Sequence, residues 1–242
     1  MARVGYFSNG GTISNMVNDI TRAGHTAVQL NDLSAARLAG IDILYLWNAD
    51  TNFWGTASSY KADVTNAVNN GLQVVAFDSA ANSRNDAPLP NILTGTAAPG
   101  NLNDVTITAD GINAFGTGLG GTVTQTSLDN RNSTIHGFTD ISDLPAGATS
   151  LMHVAGNPNQ VVGFNYTFGA GQVSYFSMPM AITSISFFSA WETFAINTLS
   201  GALVCFASGT LIKTPNGQTL IEPLAPGDMV LGCDQTLALD DG

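Results

Sequence analysis

Polar side chains follow three strand-like segments of the sequence, at positions where α/β proteins bind their ligands. Asn9 follows RVGYFS, Asp50 follows IDILYLW, and Asp78 and Ser79 end and follow LQVVAF. Because the carboxyl ends of parallel strands meet at one edge of a sheet, we expect these side chains to share that edge. They suit a small polar molecule or a sugar. A hydrolase or carbohydrate-acting enzyme that uses the Asp78/Ser79 turn is one interpretation, and a serine that merely caps the next turn is the other.

A second group of residues that could do chemistry lies near the end of the sequence. Cys205–Thr214 reads CFASGTLIKT, and after Gly217 the segment Ile221–Val230 reads IEPLAPGDMV. These segments match Cys-Phe-x-x-Gly-Thr-x-Ile, then Gly, then Glu-x-Leu-x-x-Gly-Asp-x-Val, at every position. The pattern resembles the start of the Hint (Hedgehog/intein) domain, especially the bacterial intein-like type.

The resemblance implies that Cys205 is the nucleophile of a self-processing reaction. In the family, the first Cys attacks the carbonyl of the preceding residue, here Val204, and the amide becomes a thioester that water or a second nucleophile cleaves. Because a free thiol is only slightly ionised at neutral pH, the site must activate it. Gly209 and Thr210 are expected to shape the turn around the thiol, and Asp228 to belong to a later strand turn.

The resemblance covers residues 205–234 and lacks a second feature of the family. The downstream Thr-x-x-His, whose histidine protonates the departing amine, has no counterpart, because His25, His136 and His153 all precede the motif. We therefore expect an incomplete Hint domain whose self-processing is impaired, as in a truncated product or a fragment. Cys233 has no place in the motif and is expected to be a structural thiol.

The elements that must position the carboxyl-edge residues alternate along the first part of the chain. Apolar strands and amphipathic helices are predicted in turn, at residues 3–8 (strand), 12–23 (helix), 25–30 (strand), 33–38 (helical turn), 41–47 (strand), 60–69 (helix) and 72–77 (strand). Continuously apolar strands between helices are typical of a mostly parallel sheet with helices on both faces. The expected fold class is therefore α/β, flavodoxin-like or amidotransferase-like.

The middle and the end of this region are less regular. Residues 79–104 are rich in Asn, Ala and Pro, which indicates a long surface excursion, and the Gly-rich segment 116–121 is expected to be a flexible loop. A hairpin of 161–168 and 172–177 follows, around a Gly-rich turn. A helix over 185–199 then closes the domain.

Several of these segments together resemble the class I glutamine amidotransferase-like superfamily. They are Asn9–Gly11, Asp42–Trp47, the helix end Asn70-Gly71 before Leu72–Phe77, Ser133–Phe138, the hairpin Tyr166–Phe176 and the helix end Ala195–Leu199. The likeness extends diffusely over the first 195 residues or so of the chain. It implies the fold of that superfamily.

The catalytic residues of that superfamily are missing. In active members a Cys occupies a nucleophile elbow after the strand equivalent to LQVVAF, whereas here the turn Phe77–Ala81 reads FDSAA. It has neither a Cys nor a Gly-x-Cys-x-Gly or Gly-x-Ser-x-Gly frame, and no His-x-Glu pair follows. We therefore expect no amidotransferase activity, and a noncatalytic ligand-binding or passenger role for residues 1–200.

Composition limits the partners. The chain has 242 residues, a net charge of −11 and only 7 Lys and Arg, so it cannot build the cationic face that nucleic acid or an anionic membrane surface requires. No apolar run is long enough to span a bilayer, and the N-terminus lacks the pattern of a signal peptide. The composition suits a protein that is secreted or at the cell surface without such a signal, and otherwise a cytoplasmic one. No cofactor or metal is expected, and the sequence indicates no oligomeric state.

The sequence thus predicts two domains, an α/β domain at 1–200 and the first part of a Hint domain at 205–242. Any enzymatic activity is expected to be self-processing at Val204–Cys205 at most. The alternatives are the hydrolase described above and a secreted or surface structural protein.

Overall fold

The computed structural model describes residues 1–8, 13–48, 57–78, 87–91, 96–102, 104–129, 135–178, 180, 188–202, 211–215 and 217–220. The chain divides into two compact units, Met1–Leu203 and Val204–Gly242. None of the helices in the described ranges has the length and apolar character needed to cross a bilayer.

The first part of the first unit alternates strands and helices as predicted. Its elements are β1 (Arg3–Ser8), α1 (Ile13–Arg22), β2 (Thr26–Gln29), α2 (Ala35–Leu38), β3 (Ile43–Asn48), α3 (Lys61–Asn69) and β4 (Gln73–Asp78), with a 3-10 turn before α3. The apolar strands form because their side chains are buried on both faces of the sheet; every residue of β4 is buried.

The rest of the first unit contains more strands. Its elements are β5 (Thr96–Leu102), β6 (Val105–Ile107), α4 (Ala109–Phe115), β7 (Thr117–Gly118), β8 (Gly121–Thr122), β9 (Ile135–Asp140), β10 (Thr149–Val154), β11 (Asn157–Phe168), β12 (Gly171–Phe176) and α5 (Phe188–Gly201). The predicted hairpin is present as β11 and β12, which pair antiparallel. The predicted last helix is α5.

One large sheet organises the first unit. Its strand order is β2-β1-β3-β4-β12-β11-β10-β6, with β9 pairing β11 and β5 off this path. The strands from β2 to β12 pair in parallel, whereas β11, β10 and β6 extend the sheet in antiparallel fashion. The register aligns Trp47, Phe77 and Phe176 in one row near the carboxyl ends of the parallel strands.

Both faces of the sheet are covered, which confirms the expected fold class. Tyr45, Trp47 and Phe77 belong to one core cluster together with side chains of α1, α4 and α5. Leu44 and Leu46, which alternate with them, belong to a second cluster with side chains of α2 and α3. Burial of apolar surface on both faces is what holds the helices to the sheet.

The predicted surface excursion at 79–104 is wrong in the part that the structure describes. Ala87 and Leu89 are buried in the second core cluster, and the Tyr166 hydroxyl donates a hydrogen bond of 2.7 Å to the Pro90 carbonyl. Further along, β5 pairs with β9. The prolines rule out a regular ladder at 88–90, but they do not prevent burial of the apolar residues between them.

The expected flexible loop at 116–121 is also wrong. These residues form the β7–β8 hairpin, which packs closely on α5. A Cβ added to Gly118 would lie 2.7 Å from Asn197 Oδ1, and one added to Gly120 would lie 2.7 Å from the Thr193 carbonyl oxygen. The glycines therefore allow close approach of two backbones rather than flexibility.

The second unit contains one described hairpin. The strands β13 (Leu211–Thr214) and β14 (Gly217–Leu220) pair antiparallel, with Thr214 opposite Gly217. Pro215 lies in the turn. This hairpin lies within residues 205–242, the segment predicted to be the first, short all-β part of a Hint domain.

Candidate functional site

The carboxyl edge of the parallel strands contains a buried polar pair. Asp78 is the last residue of β4 and is fully buried. The hydroxyl of Tyr175, on the neighbouring strand β12, donates a hydrogen bond to Asp78 Oδ2. Ser177, directly after β12, is also buried at this edge. Asp78 is therefore at the edge where it was predicted, and its side chain is held within the core by the end of β4 and by the hydrogen bond from Tyr175.

Most of the other predicted site residues lie outside the described part of the chain. These are Asn9, Asp50, Ser79, Val204, Cys205, Gly209, Thr210 and Asp228, together with Cys233. The prediction that Asn9, Asp50 and Ser79 share an edge with Asp78 therefore stays a prediction.

The described hairpin of the second unit lies inside the Hint-like motif. It begins at Leu211, directly after the Gly-Thr pair of the motif, and ends at Leu220, just before the Ile-Glu-x-Leu part. The motif's Ile212 and Gly217 are paired residues of this hairpin.

A second polar site lies between α1, β3 and α5, and it is absent from the sequence-based prediction. Asp19 of α1 is only 3% exposed, and Tyr45 of β3 donates a hydrogen bond of 3.1 Å to its Oδ2. Burial raises the pKa of the Asp19 carboxyl to about 7, and burial also raises the pKa of Tyr45. Met16 and Ile20 share the buried face of α1 with Asp19. The position of Asp19 on the same side of α1 as the apolar Met16 and Ile20 is the sequence feature that indicates a buried acid.

The charged residues around Asp19 are already paired with one another. Arg22 of α1 forms an ion pair with Glu192 of α5, and Asn18 Nδ2 donates a hydrogen bond of 2.6 Å to the same carboxylate oxygen. One indole N–H group in the same core, that of Trp191, has no hydrogen-bond partner among the described residues. The site therefore combines a buried acid with an unsatisfied donor.

No metal centre is formed by the described residues, since no three His, Cys, Asp or Glu side chains among them are grouped to hold an ion. His25 lies at the end of α1, where its Nε2 is 3.3 Å from the Leu199 carbonyl oxygen. His153 Nδ1 is 2.9 Å from the carbonyl oxygen of Val154. Both imidazoles thus face backbone carbonyls.

The fold is similar to that of solved structures of low sequence identity. A cytoplasmic protein of Salmonella typhimurium LT2 is 10% identical and superposes with a TM-score of 0.52, covering 83% of this chain and 99% of its own. Another cytoplasmic protein of Salmonella typhimurium is 8% identical with a TM-score of 0.51, covering 82% and 98%. A structure titled glutamine amidotransferase is 13% identical with a TM-score of 0.48, covering 82% and 98%.

These likenesses concern the fold alone, because the identities are so low. The architecture is the α/β one, with a mostly parallel sheet, that the amidotransferase-like resemblance implies. No protein-family model matches the chain. No curated protein matches it at a significant level.

Proposed function

We propose that the chain is a modular protein in which a Hint-type segment self-processes at Val204–Cys205, next to an α/β binding or passenger module. The single observation that supports this most is the position of the division between the compact units, which falls between Leu203 and Val204. The proposed scissile bond thus lies at the start of the second unit. The hairpin inside the motif adds support, because it pairs the segment that follows the Gly-Thr of the motif with the segment that precedes its Ile-Glu-x-Leu part.

The reaction would begin at the Cys205 thiolate. Sγ attacks the carbonyl carbon of Val204, the C–N bond to Cys205 breaks, and the nitrogen takes up a proton to become a free amine. The acyl group of residues 1–204 is then a thioester on Sγ. An added thiol exchanges with it, releasing residues 205–242 with an N-terminal cysteine and leaving residues 1–204 as a thioester of the added thiol.

The test is the intact mass of the purified full chain after incubation with dithiothreitol at neutral pH. We expect loss of residues 205–242 from the wild type and from Cys233→Ala, and an unchanged mass for Cys205→Ala. Cys233→Ala is the matched control, because it removes the other thiol of the chain. An unchanged mass in the wild type, or cleavage that persists in Cys205→Ala, would overturn the proposal.

The α/β module is proposed to bind a ligand without transforming it. The turn after β4 lacks a nucleophilic Cys, and the Asp78 carboxylate is held inside the core by Tyr175. A glutamine amidotransferase-like ancestry would fit this architecture. Secretion or surface display would fit the acidic, lysine-poor composition.

The module is tested by assaying the chain with chromogenic glycosides and esters and with glutamine. We expect no turnover of any of them. Hydrolysis that is lost in Ser79→Ala would instead support the hydrolase alternative at the Asp78/Ser79 turn.

A further inference from the structure

We propose that Asp19 is a proton-operated contact between α1 and α5, which holds the two helices together when the carboxyl group is neutral and loosens them when it ionises. The site is independent of the proposed self-processing, because all of its residues belong to the first unit. No residue of the carboxyl-edge pair takes part in it.

The geometry explains why the neutral form fits. Asp19 lies on the core-facing side of α1, between residues that are completely buried, Met16 and Ile20. Its one hydrogen-bonding side chain among the described residues is Tyr45, a phenol buried in β3. A single neutral donor cannot compensate for the lost hydration of an ionised carboxylate, so burial favours the protonated acid.

The charged residues at the contact between α1 and α5 also favour the protonated form of Asp19. Two acids, Asp19 and Glu192, face one base, Arg22, and the guanidinium of Arg22 is in contact with Glu192. Asn18 adds a further donor to Glu192. The guanidinium of Arg22 is thus already paired with Glu192, and an ionised Asp19 would stand beside the Glu192 side chain, whose charge raises the pKa of Asp19, without a counter-ion of its own.

Other titratable groups lie around the same helix. The strand β1, which also contacts α1, contributes Tyr6 to the same core. His25 follows α1 and faces the Leu199 carbonyl of α5. None of these groups offers a positive charge hydrogen-bonded to Asp19 among the described contacts, so the balance of charge at the contact is set by Asp19, Glu192 and Arg22.

Loss of the proton has a structural consequence because α1 and α5 meet at this point. An ionised Asp19 gains hydration only if water reaches it, and water reaches it most directly if α1 separates from α5. The unpartnered indole N–H group of Trp191 would acquire water as a partner in the same movement. The fluorescence of Trp191, and of Trp47 in the same core cluster, therefore reports on the contact.

The experiment is a fluorescence titration of the full chain carrying Trp54→Phe, so that only Trp47 and Trp191 of the three tryptophans emit. Between about pH 5 and 9 we expect one transition with a midpoint near 7, and no such transition in Asp19→Asn. An asparagine keeps an acceptor for the Tyr45 hydroxyl and cannot ionise. A transition that persists in Asp19→Asn, or a flat titration of the parent, would overturn the proposal.

Two further variants separate this role from simple packing. Tyr45→Phe removes a hydrogen bond that favours the ionised acid and should raise the midpoint, whereas Glu192→Gln removes a neighbouring negative charge and should lower it. These variants also decide the matter if Asp19→Asn fails to fold. Midpoints that stay unchanged, or that move in the same direction, would overturn the proposal.

Discussion

Asn197 of α5 and Gly120 of the β7–β8 hairpin are joined by a hydrogen bond of 2.9 Å, from the Gly120 N–H to Asn197 Oδ1. The Nδ2 group of the same side chain donates to the carbonyls of Phe115 and Gly121, at 2.9 and 3.0 Å. One buried amide thus binds the hairpin and the end of α4 to the last helix of the unit. Gly-rich sequence here provides space for that side chain.

Asn197→Ala should therefore destabilise the first unit by about 3 kcal/mol, because it leaves two carbonyls and one N–H without their partner. The measurement is the free energy of urea-induced unfolding. The matched control is Thr198→Val, on the next residue of the same helix, whose hydroxyl donates only to the Phe194 carbonyl within the helix and whose loss should cost less than about 1 kcal/mol. Equal costs for the two variants would contradict this account.

Gly111→Ala in α4 should destabilise the protein, although replacing glycine by alanine usually stabilises a helix. Gly to Ala in a helix interior gains about 1 kcal/mol in general, but a Cβ here would collide with the backbone carbonyl of Leu151 on β10. Thr108 caps α4, because its Oγ1 accepts from the Gly111 N–H at 3.0 Å, and it also holds α4 to β10, because its own N–H donates to the Leu151 carbonyl at 3.0 Å. We expect Gly111→Ala to lower stability by about 2 kcal/mol.

Asn113→Ala is the matched control for Gly111→Ala. Asn113 is exposed on the same helix, so alanine there should raise stability by about half a kcal/mol through helix propensity alone. Thermal unfolding of both variants measures the difference. A stabilising Gly111→Ala would show that α4 can move away from β10 at little cost.

The parallel part of the fold could be predicted because short, continuous stretches of the sequence specify each of its strands and helices. Runs such as those of β3 and β4 are apolar on both faces and are separated by helices, which specifies buried parallel strands. The pairing of β12 with β4, where Val173 lies opposite Val74, joins segments that are far apart in sequence. No local pattern specifies that contact, so the way the hairpin joins the sheet could not be predicted.

The candidate sites also divide into features that a local sequence pattern predicts and features that depend on segments distant in sequence. Asp78 was predicted because it follows an apolar strand, and the structure adds Tyr175, which reaches it from a strand distant in sequence. Asp19 was missed because periodicity assigns a polar residue to the exposed side by default. Its burial depends on β3 and α5, which contribute Tyr45 and Glu192.

Stability should fall as pH rises from about 4 to 7, because native Asp19 holds its proton more strongly than unfolded Asp19. The pKa of its carboxyl is about 7 in the folded chain, against 3.8 as the ordinary value. The stabilisation is complete below the lower value, is lost progressively up to the higher one, and amounts to about 4 kcal/mol at most. The partly exposed Asp32 and the exposed Asp140, whose pKa values are lowered by hydrogen bonds from Ser34 and Ser142, act in the opposite direction and only at lower pH.

Urea unfolding at pH 5 and pH 7.5 tests this dependence. We expect the wild type to be more stable at the lower pH and Asp19→Asn to lose most of that difference. Asp32→Asn is the control, since the pKa of that carboxyl is lowered from 3.8 and the group remains ionised at both pH values. A wild type whose stability rises over this interval would contradict the assignment.

Gln125 protects the edge of the sheet at β6. Its side-chain amide pairs with both backbone groups of Ile107: Oε1 accepts from the N–H at 2.9 Å, and Nε2 donates to the carbonyl. Asp129 Oδ1 accepts from the Val105 N–H at 3.0 Å. Side chains thus occupy the hydrogen-bonding positions that a further strand would take, and an uncovered edge strand invites pairing with another chain.

Gln125→Ala should therefore expose the β6 edge and promote self-association. We expect a loss of about 1 kcal/mol in unfolding free energy, and a larger species in sedimentation velocity whose fraction rises with protein concentration beyond that of the wild type. Thr126→Ala, at the exposed next residue, is the control and should leave both measurements unchanged. Gln125→Glu keeps the acceptor for the Ile107 N–H but loses the donor to the Ile107 carbonyl. Because association through an edge depends on free backbone groups, this variant should self-associate more than the wild type and less than Gln125→Ala. If Gln125→Ala sediments as the wild type does at every concentration, β6 is protected by something other than this side chain.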